Sequence, residues 1–402
     1  MPALLLISAF LEGVALTLIQ GYLPLYVREA LGETSFLTVG LVVVVPALGT
    51  MVASNFWGGL SDVSGKLKPL LLVGLAGYAV ALAGIPFFKQ GTTVLLYVGA
   101  AALFYGCLAP LLKAYATLAM ADRPQHAISY ILMAQAVGWL VGGLEGGRLM
   151  EAGIGEGLHA ALWITAGLVA IHVVLTARWL RDVPRAPALP RARVGWVTRL
   201  AEDLAALYEN PRLLRLCILS FFLFAANFTM WGFFTVYFVE HLGASVRLLR
   251  YTLGFAAVAG ILMYVFVGPL VRRFGARAIL FTGILLYAGM YLLMGLQANS
   301  IATAIIFVAP LFGLTTVAAN TLATEYSSSS QRGGGLGVLN GTLALATIAG
   351  PTLGGLLADR WGLGVIPWTA LGFIVVAIPL SFALVWIHRR PRGAIEDGRN
   401  AD

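Results

Sequence analysis

Twelve long apolar stretches divide this chain, and they restrict its fold more than any other feature of the sequence. A helix that crosses the ~30 Å hydrocarbon core of a bilayer needs about 20 apolar residues. Only 11% of the residues are charged, against about 25% in soluble domains, so most of the chain cannot face water. The stretches are 3–28, 36–59, 69–88, 93–119, 127–150, 157–179, 212–239, 246–270, 277–297, 301–324, 333–357 and 363–387.

The length of these stretches predicts helices. Inside lipid every backbone polar group must be hydrogen-bonded within the protein, which allows only helices or a closed barrel. Barrel strands are shorter and alternate between apolar and polar residues, and the stretches show no such alternation. We therefore predict an all-α membrane protein with 12 transmembrane helices.

Positive charge is distributed unevenly between the two sides of the predicted membrane. With the N-terminus inside, most of the 26 Lys and Arg residues fall on the cytoplasmic side, as the positive-inside rule requires. We expect a multi-pass protein of the cell inner (plasma) membrane, with both termini cytoplasmic and no nucleic-acid partner. The basic residues outside this pattern are Lys113 within a helix and Arg28, Lys89, Arg148, Arg247, Arg250 and Arg360 near the outer side.

A polar segment at 181–211 separates the first six helices from the last six. Its first part is rich in arginine and proline and is typical of an irregular linker. Leucines at helical spacing from about 194 to 209 predict an amphipathic helix on the inner leaflet. The predicted organisation is an N-terminal half at 1–180, this linker, a C-terminal half at 212–388 and a cytoplasmic tail at 389–402.

The two halves resemble each other in sequence. Glu29-x-x-Gly32 near the end of helix 1 corresponds to Glu240-x-x-Gly243 near the end of helix 7. Six plus six helices in a parallel repeat predict two six-helix halves related by a pseudo-two-fold axis.

The stretch 58–68, Gly-Gly-Leu-Ser-Asp-Val-Ser-Gly-Lys-Leu-Lys, lies between helices 2 and 3, and a weaker copy begins 210 positions later, at 268–275. It resembles G-x-L-x-D-x-x-G-[RK]-x-[RK], the cytoplasmic loop between helices 2 and 3 of the major facilitator superfamily. The resemblance covers nearly the whole chain. It implies a secondary transporter that works by alternating access, monomeric, without a cofactor and without enzymatic activity.

In that family the acid of this loop lies against the cytoplasmic start of helix 11 and locks the outward-facing form. The resemblance assigns this role to Asp62, and it places Lys66, Glu325 and Arg332 in the surrounding charged gate. A carboxylate is stabilised at a helix N-terminus by the helix dipole. Val63 stands where the family usually has Arg, so part of the expected charge relay is missing. The alternative is that Asp62 is a solvent-exposed acid of the turn with no role in the gate.

Helix 5 contains small residues at regular spacing. The segment 138–147 resembles G-x-x-x-G-P-x-x-G-G, the helix 5 signature of the drug:proton antiporters, with Gly143 in place of the proline. Helix 11 has nearly the same pattern, so general close packing of helices is the alternative. The predicted helix-packing glycines are Gly138, Gly142, Gly146, Gly147, Gly350 and Gly354.

Ionisable residues within the predicted spans are rare, and each is a functional candidate because its insertion costs at least ~2.5–3.5 kcal/mol. Glu12 in helix 1 and Lys113 in helix 4 are expected at similar depths, ~13 Å and ~11–12 Å from the inner ends. We predict that Glu12 takes up the coupling proton when it is separated from Lys113; a permanent ion pair is the alternative. Glu145 is the second candidate for the residue that takes up the coupling proton. It lies three residues before Arg148, so an ordinary ion pair within the helix is the alternative explanation.

The predicted substrate cavity combines residues from both halves. The function predicted from the sequence is proton-coupled export of small amphipathic or drug-like molecules. Transport of sugars or organic anions, with Lys113 as the anion contact, is the alternative. The expected partners are a small-molecule substrate, protons and the lipid bilayer, and no metal site is expected. The predicted cavity residues are Gln20, Tyr105, Lys113, Asn227, Trp231, Thr316 and Asn320.

Overall fold

The computed structural model describes residues 3–120, 124–181, 210–327 and 332–386. Within these ranges, twelve helices are long and apolar enough to cross a membrane. The first six are α1 (Ala3–Ala30), α2 (Phe36–Ser64), α3 (Lys68–Phe87), α4 (Gly91–Ala119), α5 (Pro124–Met150) and α6 (Ile154–Trp179). The last six are α7 (Pro211–His241), α8 (Val246–Phe274), α9 (Ala276–Leu296), α10 (Ser300–Tyr326), α11 (Arg332–Trp361) and α12 (Ile366–Trp386).

Each predicted apolar stretch corresponds to one of these helices, and the all-α membrane fold with twelve spanning helices is confirmed. The predicted amphipathic helix at 194–209 and the tail at 389–402 lie outside the described residues. The segment boundaries therefore remain predictions. Asn210 begins the second half, because its side chain accepts a hydrogen bond from the backbone N–H of Leu213 at 3.2 Å and so caps α7.

The stretch 58–68 is not a loop throughout, which corrects the sequence-based expectation. Helix α2 continues to Ser64, and α3 begins at Lys68. Gly65 closes α2 with a φ of 63°, and Gly275 follows α8 with a φ of 83°. Positive φ angles are readily adopted only by glycine, which explains why this glycine recurs in both halves. The polar residues of the stretch end the apolar span, but the helix continues until a glycine closes it.

The repeat extends to irregular backbone that the sequence did not predict. Helix α4 is interrupted between Tyr105 and Leu108, and α10 is interrupted between Phe307 and Leu311. Helices α1 and α7 both end in a π-helical turn. Only α1, among the described helices, also has a π-helical segment in its middle, at Thr17–Tyr22. Single π-helical turns occur frequently at functional sites.

Glycines allow the helices inside each half to approach closely. A Cβ atom placed on Gly138 of α5 would stand 2.0 Å from the carbonyl oxygen of Phe10 on α1. A Cβ atom on Gly350 of α11 would stand 2.4 Å from the carbonyl oxygen of Ala225 on α7. The other predicted packing glycines also have atoms of a neighbouring helix within 3 Å of an added Cβ atom; they are Gly142, Gly146, Gly147 and Gly354.

We call the end of the bundle where α1 begins the terminal end, and the end where α1 meets α2 the distal end. The first described residue, Ala3, and the last, Trp386, both lie at the terminal end, because twelve crossings return the chain to its starting side. Polar contacts between the halves, described below, occur at the distal end.

Candidate functional site

Glu12 lies inside the N-terminal half and is buried, with 3% of its surface exposed. The hydroxyl group of Tyr105 on α4 is a polar neighbour of its carboxyl group. Lys113, also on α4, attracts it electrostatically. A buried carboxyl group needs such partners because its removal from water is costly.

Lys113 acts electrostatically on Glu12, but the two residues do not share one environment. They do not form an ion pair within 4 Å among the described residues, and the side chain of Lys113 is exposed while Glu12 is buried. The neutral hydroxyl group of Tyr105 is the other polar neighbour of Glu12. Lys113 is therefore accessible at the surface of the half, and its attraction on Glu12 acts over a longer distance.

A cavity of about 240 Å³ lies beside this group. Its walls come from α1, α2, α3 and α4 only, so it lies inside the N-terminal half. Gln20 and Tyr105, both predicted as cavity residues, line it together with Tyr78 of α3. Gln20 belongs to the π-helical segment of α1. Most of the other lining residues are apolar, among them Leu16, Ile19, Val42, Val43, Pro46, Leu82, Ile85 and Val98.

Tyr78 was not predicted as a functional residue. It is 2% exposed, and its hydroxyl oxygen has no hydrogen-bond partner within the described ranges. Its ring packs against the ring of Tyr105, with centroids 5.3 Å apart. A buried hydroxyl group normally has a hydrogen-bond partner. The Tyr78 hydroxyl group, in a residue that lines the cavity, can therefore form one more hydrogen bond.

The corresponding region of the C-terminal half is uncharged. Asn227 of α7 donates a hydrogen bond from Nδ2 to the hydroxyl oxygen of Tyr287 on α9 at 2.8 Å. Asn227 was predicted to line the cavity, and here it also connects two helices. Thr316 and Asn320 are half-buried on α10, and the hydroxyl oxygen of Thr316 has no partner among the described atoms. Among the described residues, the two halves therefore differ in that only the first buries a carboxyl group at this level.

An aromatic layer connects the halves. The ring of Trp231 on α7, a predicted cavity residue, lies 5.6 Å from the ring of Trp139 on α5 and 6.0 Å from that of Phe307 on α10, between centroids. Phe234 stacks on Phe307. Trp139 lies within the helix 5 segment 138–147, and the sequence predicted no role for it.

Three groups of polar contacts join the halves at the distal end. Arg28, near the end of α1, makes two hydrogen bonds of 2.7 Å to the carboxylate of Glu240, near the end of α7. Glu151, after α5, pairs with Arg250 at 2.8 Å and with Arg247 at 3.4 Å, both on α8. The first of these ion pairs is partly shielded from solvent, since Arg28 exposes 20% of its side chain and Glu240 exposes 30%.

The third group joins α11 to α2. Oδ1 of Asp359, near the end of α11, accepts a hydrogen bond from the backbone N–H of Phe36 at 2.5 Å. Oδ2 accepts from the N–H of Leu37 and from the hydroxyl group of Ser35, both at 3.2 Å. The carboxylate therefore caps the N-terminus of α2, where free N–H groups and the helix dipole favour a negative charge. Together the three groups close the distal end.

The remaining predicted site residues lie apart from the buried group. Glu145 and Arg148 are both exposed on α5, 3.4 Å apart, as neighbours on one helix face. Lys66 and Glu325 are exposed at the terminal end. Asp62 lies in the last turns of α2 and Arg332 is the first residue of α11, but their side chains are outside what the structure describes. Within the described ranges no group of three His, Cys, Asp or Glu residues could hold a metal ion.

Proteins of similar sequence include bacterial multidrug resistance proteins. The multidrug resistance protein MdtG of Rahnella sp. (strain Y9602) is 25% identical over 403 residues, covering 97% of this chain and 94% of the relative. The MdtG protein of Salmonella typhi is 26% identical over 402 residues, covering 97% and 96%. Both alignments extend over nearly the full length, so they include both halves.

Solved structures with the same fold are transporters. The crystal structure of the nucleoside transporter NupG aligns with a TM-score of 0.78 at 16% identity, covering 97% of this chain and 99% of the other. A bacterial homologue of the human lysosomal transporter Spinster, in an inward-facing and occupied conformation, aligns with a TM-score of 0.75 at 15% identity and 95% coverage of each chain. The model of the MFS_1 like family matches residues 5–366, and the chain therefore belongs to this family and is a multi-pass membrane transporter of the major facilitator fold, not an enzyme.

Proposed function

We propose that the protein exports small amphipathic or drug-like organic molecules in exchange for protons, and that Glu12 is the residue that binds the coupling proton. The observation that carries the proposal is a carboxyl group buried in a membrane-spanning helix and placed beside a cavity. An ionisable side chain in such a place costs free energy, which favours a functional role. The naming of the relatives as multidrug resistance proteins supports drug-like substrates.

The coupling step follows from the neighbours of Glu12. Burial favours the neutral form of a carboxyl group, whereas a nearby positive charge such as that of Lys113 and a hydroxyl group such as that of Tyr105 favour its ionised form. Movement of α4 relative to α1 during the transport cycle removes these partners, and the carboxylate then takes up a proton. The interruption of α4 after Tyr105, between Glu12's two neighbours, provides a place where such movement can occur.

The proposed orientation places both termini in the cytoplasm, with the distal end facing outward. The unequal distribution of basic residues supports this orientation. In this orientation a closed distal end corresponds to a state in which substrate exchanges with the cytoplasm. An exporter collects its substrate in such a state.

Transport in proteoliposomes tests the proposal. The interior carries a pH-sensitive dye, and a panel of aromatic amines, neutral aromatic amides, hexoses and carboxylates is added under an imposed pH gradient. We expect proton flux with the amphipathic aromatic compounds. Glu12→Gln should abolish proton-driven accumulation but leave substrate exchange without a gradient measurable, since glutamine keeps the shape and loses the ionisable group.

Glu145→Gln is the matched control, because it removes a carboxylate from an exposed helix face. Its transport should remain within about twofold of the wild type, as expected for an exposed ion pair. Accumulation by Glu12→Gln against a gradient, with unchanged pH dependence, would eliminate Glu12 as the coupling residue, and a loss of accumulation in Glu145→Gln would then make Glu145 the candidate.

The second candidate function is transport of sugars or organic anions. The observation that favours it is the exposed ammonium group of Lys113, which forms no ion pair within 4 Å in the described part of the chain. An unpaired cation suits a carboxylate or phosphate ligand. Proton flux only with the carboxylates of the panel, lost in Lys113→Gln, would establish this function instead.

A further inference from the structure

We propose that the cavity inside the N-terminal half is a binding subsite for a one- or two-ring aromatic group that bears a hydrogen-bond acceptor. The cavity differs from the space between the halves, because every residue that lines it belongs to α1, α2, α3 or α4. The inference rests on the proposed function only in taking the ligand to be a transported molecule.

The size of the cavity sets the size of the ligand group. An engineered apolar cavity of ~150 Å³ holds one benzene molecule. The volume here is about 240 Å³, so a substituted ring or a fused pair of rings fits. The apolar walls match such a group, and the rings of Tyr78 and Tyr105, 5.3 Å apart, provide aromatic faces for contact.

The hydrogen-bonding requirement comes from Tyr78. Tyr78 belongs to the cavity wall, and its hydroxyl group is buried and has no partner among the described residues. A ligand with a carbonyl or ether oxygen satisfies this donor, whereas a lipid acyl chain does not. Gln20, half-buried in the same wall, offers both a donor and an acceptor from its amide group.

The position of the subsite connects the ligand with the buried acid. Tyr105 lines the cavity and also faces Glu12. A ligand that accepts the hydrogen bond of Tyr105 withdraws a partner from the carboxylate. The other ionisable groups that act on or face this region are Lys113 and Cys107 on α4 and Tyr78 on α3, while His172 on α6 contacts Ser8 of α1, one turn before Glu12.

Equilibrium binding of 7-amino-4-methylcoumarin to the purified full-length protein tests the subsite. This fluorescent probe has two fused rings and a carbonyl acceptor, and binding is measured by equilibrium dialysis in detergent without any proton gradient. Ala101 lines the cavity and is half-buried, so Ala101→Leu fills the space with three further carbon atoms. We expect this variant to weaken binding at least tenfold.

Tyr78→Phe keeps the ring and removes only the hydroxyl group, and we expect about fivefold weaker binding, the usual value of one hydrogen bond. The matched control is Tyr291→Phe on α9, the helix that corresponds to α3. Tyr291 is also fully buried with an unpartnered hydroxyl oxygen among the described atoms, but it lies outside the cavity. Binding to this control should be unchanged.

No specific binding by the wild type, or equal binding by the wild type and Ala101→Leu, overturns the proposal. Loss of affinity in Ala101→Leu with no effect of Tyr78→Phe also overturns it, since a purely apolar ligand such as an acyl chain then occupies the space. Gel filtration and thermal melting show that each variant is folded. Because no gradient is present, the result does not depend on proton coupling, and a failure of the Glu12 experiment leaves it intact.

Discussion

At the scale of single residues, Gly138 determines how closely α1 and α5 approach. An added Cβ atom would stand 2.0 Å from a backbone carbonyl oxygen of α1, and backbone cannot move as a flexible side chain can. We expect Gly138→Ala to separate the two helices and to destabilise the protein by about 1–3 kcal/mol, the usual cost of overpacking. Thermal melting of the purified variant in detergent measures the effect as a lower Tm.

The control for this prediction is Gly167→Ala on α6, where an added Cβ atom meets nothing within 4 Å. Alanine favours a helix by up to about 1 kcal/mol over glycine, so the Tm of this variant should stay equal or rise. Equal melting of the two variants would show that the closeness of α1 and α5 is not needed for stability.

Individual residues differ in how far the sequence reveals their roles. Glu12 was identifiable because a carboxylate within an apolar stretch has few structural explanations. Tyr78 gave no signal, because it is one of 14 tyrosines and its importance depends on a missing hydrogen-bond partner. The role of Asp359 was equally unpredictable, since the backbone N–H groups that donate hydrogen bonds to it lie more than 320 positions earlier in the chain. Contacts between distant segments leave no trace in composition or periodicity.

At the scale of elements, hydropathy predicted the helices well and their irregularities poorly. The predicted stretch 93–119 matches α4 as a whole but does not show its interruption after Tyr105. Hydropathy reports which segment prefers lipid, whereas the break depends on local backbone hydrogen bonds. Prolines were the available signals, with Pro110 just after the interruption of α4 and Pro310 within that of α10, because proline lacks an N–H group and cannot continue the hydrogen-bond pattern of the preceding turn.

The motif at 58–68 also shows that the sequence predicts the existence of a helix better than the details of its ends. Of its glycines, Gly65 lies in the turn and has a positive φ, whereas Gly58 and Gly59 lie within α2. The length of the turn was overestimated, because polar residues were taken to mark the end of a helix. Polarity marks where the chain leaves the lipid, and a helix that enters water retains its hydrogen bonds.

At the scale of the whole molecule, the orientation in the membrane is the first property to test. We expect a cysteine in place of Ala188, in the predicted cytoplasmic linker, to resist impermeant thiol reagents in intact cells and to react in inverted vesicles. Ala152→Cys, exposed at the distal end between α5 and α6, should show the opposite pattern. The natural cysteines, Cys107 and Cys217, are buried and give little background. Labelling of the linker variant in intact cells would reverse the orientation.

Helices α2 and α11 carry one acid near each end of the molecule. These acids are Asp359 of α11 at the distal end and Asp62 of α2 at the terminal end. At the distal end Asp359 of α11 caps the start of α2. At the terminal end, resemblance to the superfamily assigns Asp62 of α2 to the start of α11. We expect each cap to exist only while its own end is closed, in which case the two acids favour opposite states of one equilibrium.

We expect Asp359→Ala to shift the protein toward the distally open state. Loss of a charged helix cap costs about 1–2 kcal/mol, which changes the ratio of states about five- to thirtyfold. Double electron–electron resonance between spin labels at Thr92 and Ala298, near the distal ends of α4 and α10, should show a larger population at long distances. Glu29→Gln, which also removes an exposed distal carboxylate, should leave the distances unchanged.

Asp62→Ala should shift the distance distribution toward the closed distal end. The double variant should lie between the two single variants, since the opposing losses offset each other. Identical shifts in both single variants would show that the acids do not act on one equilibrium.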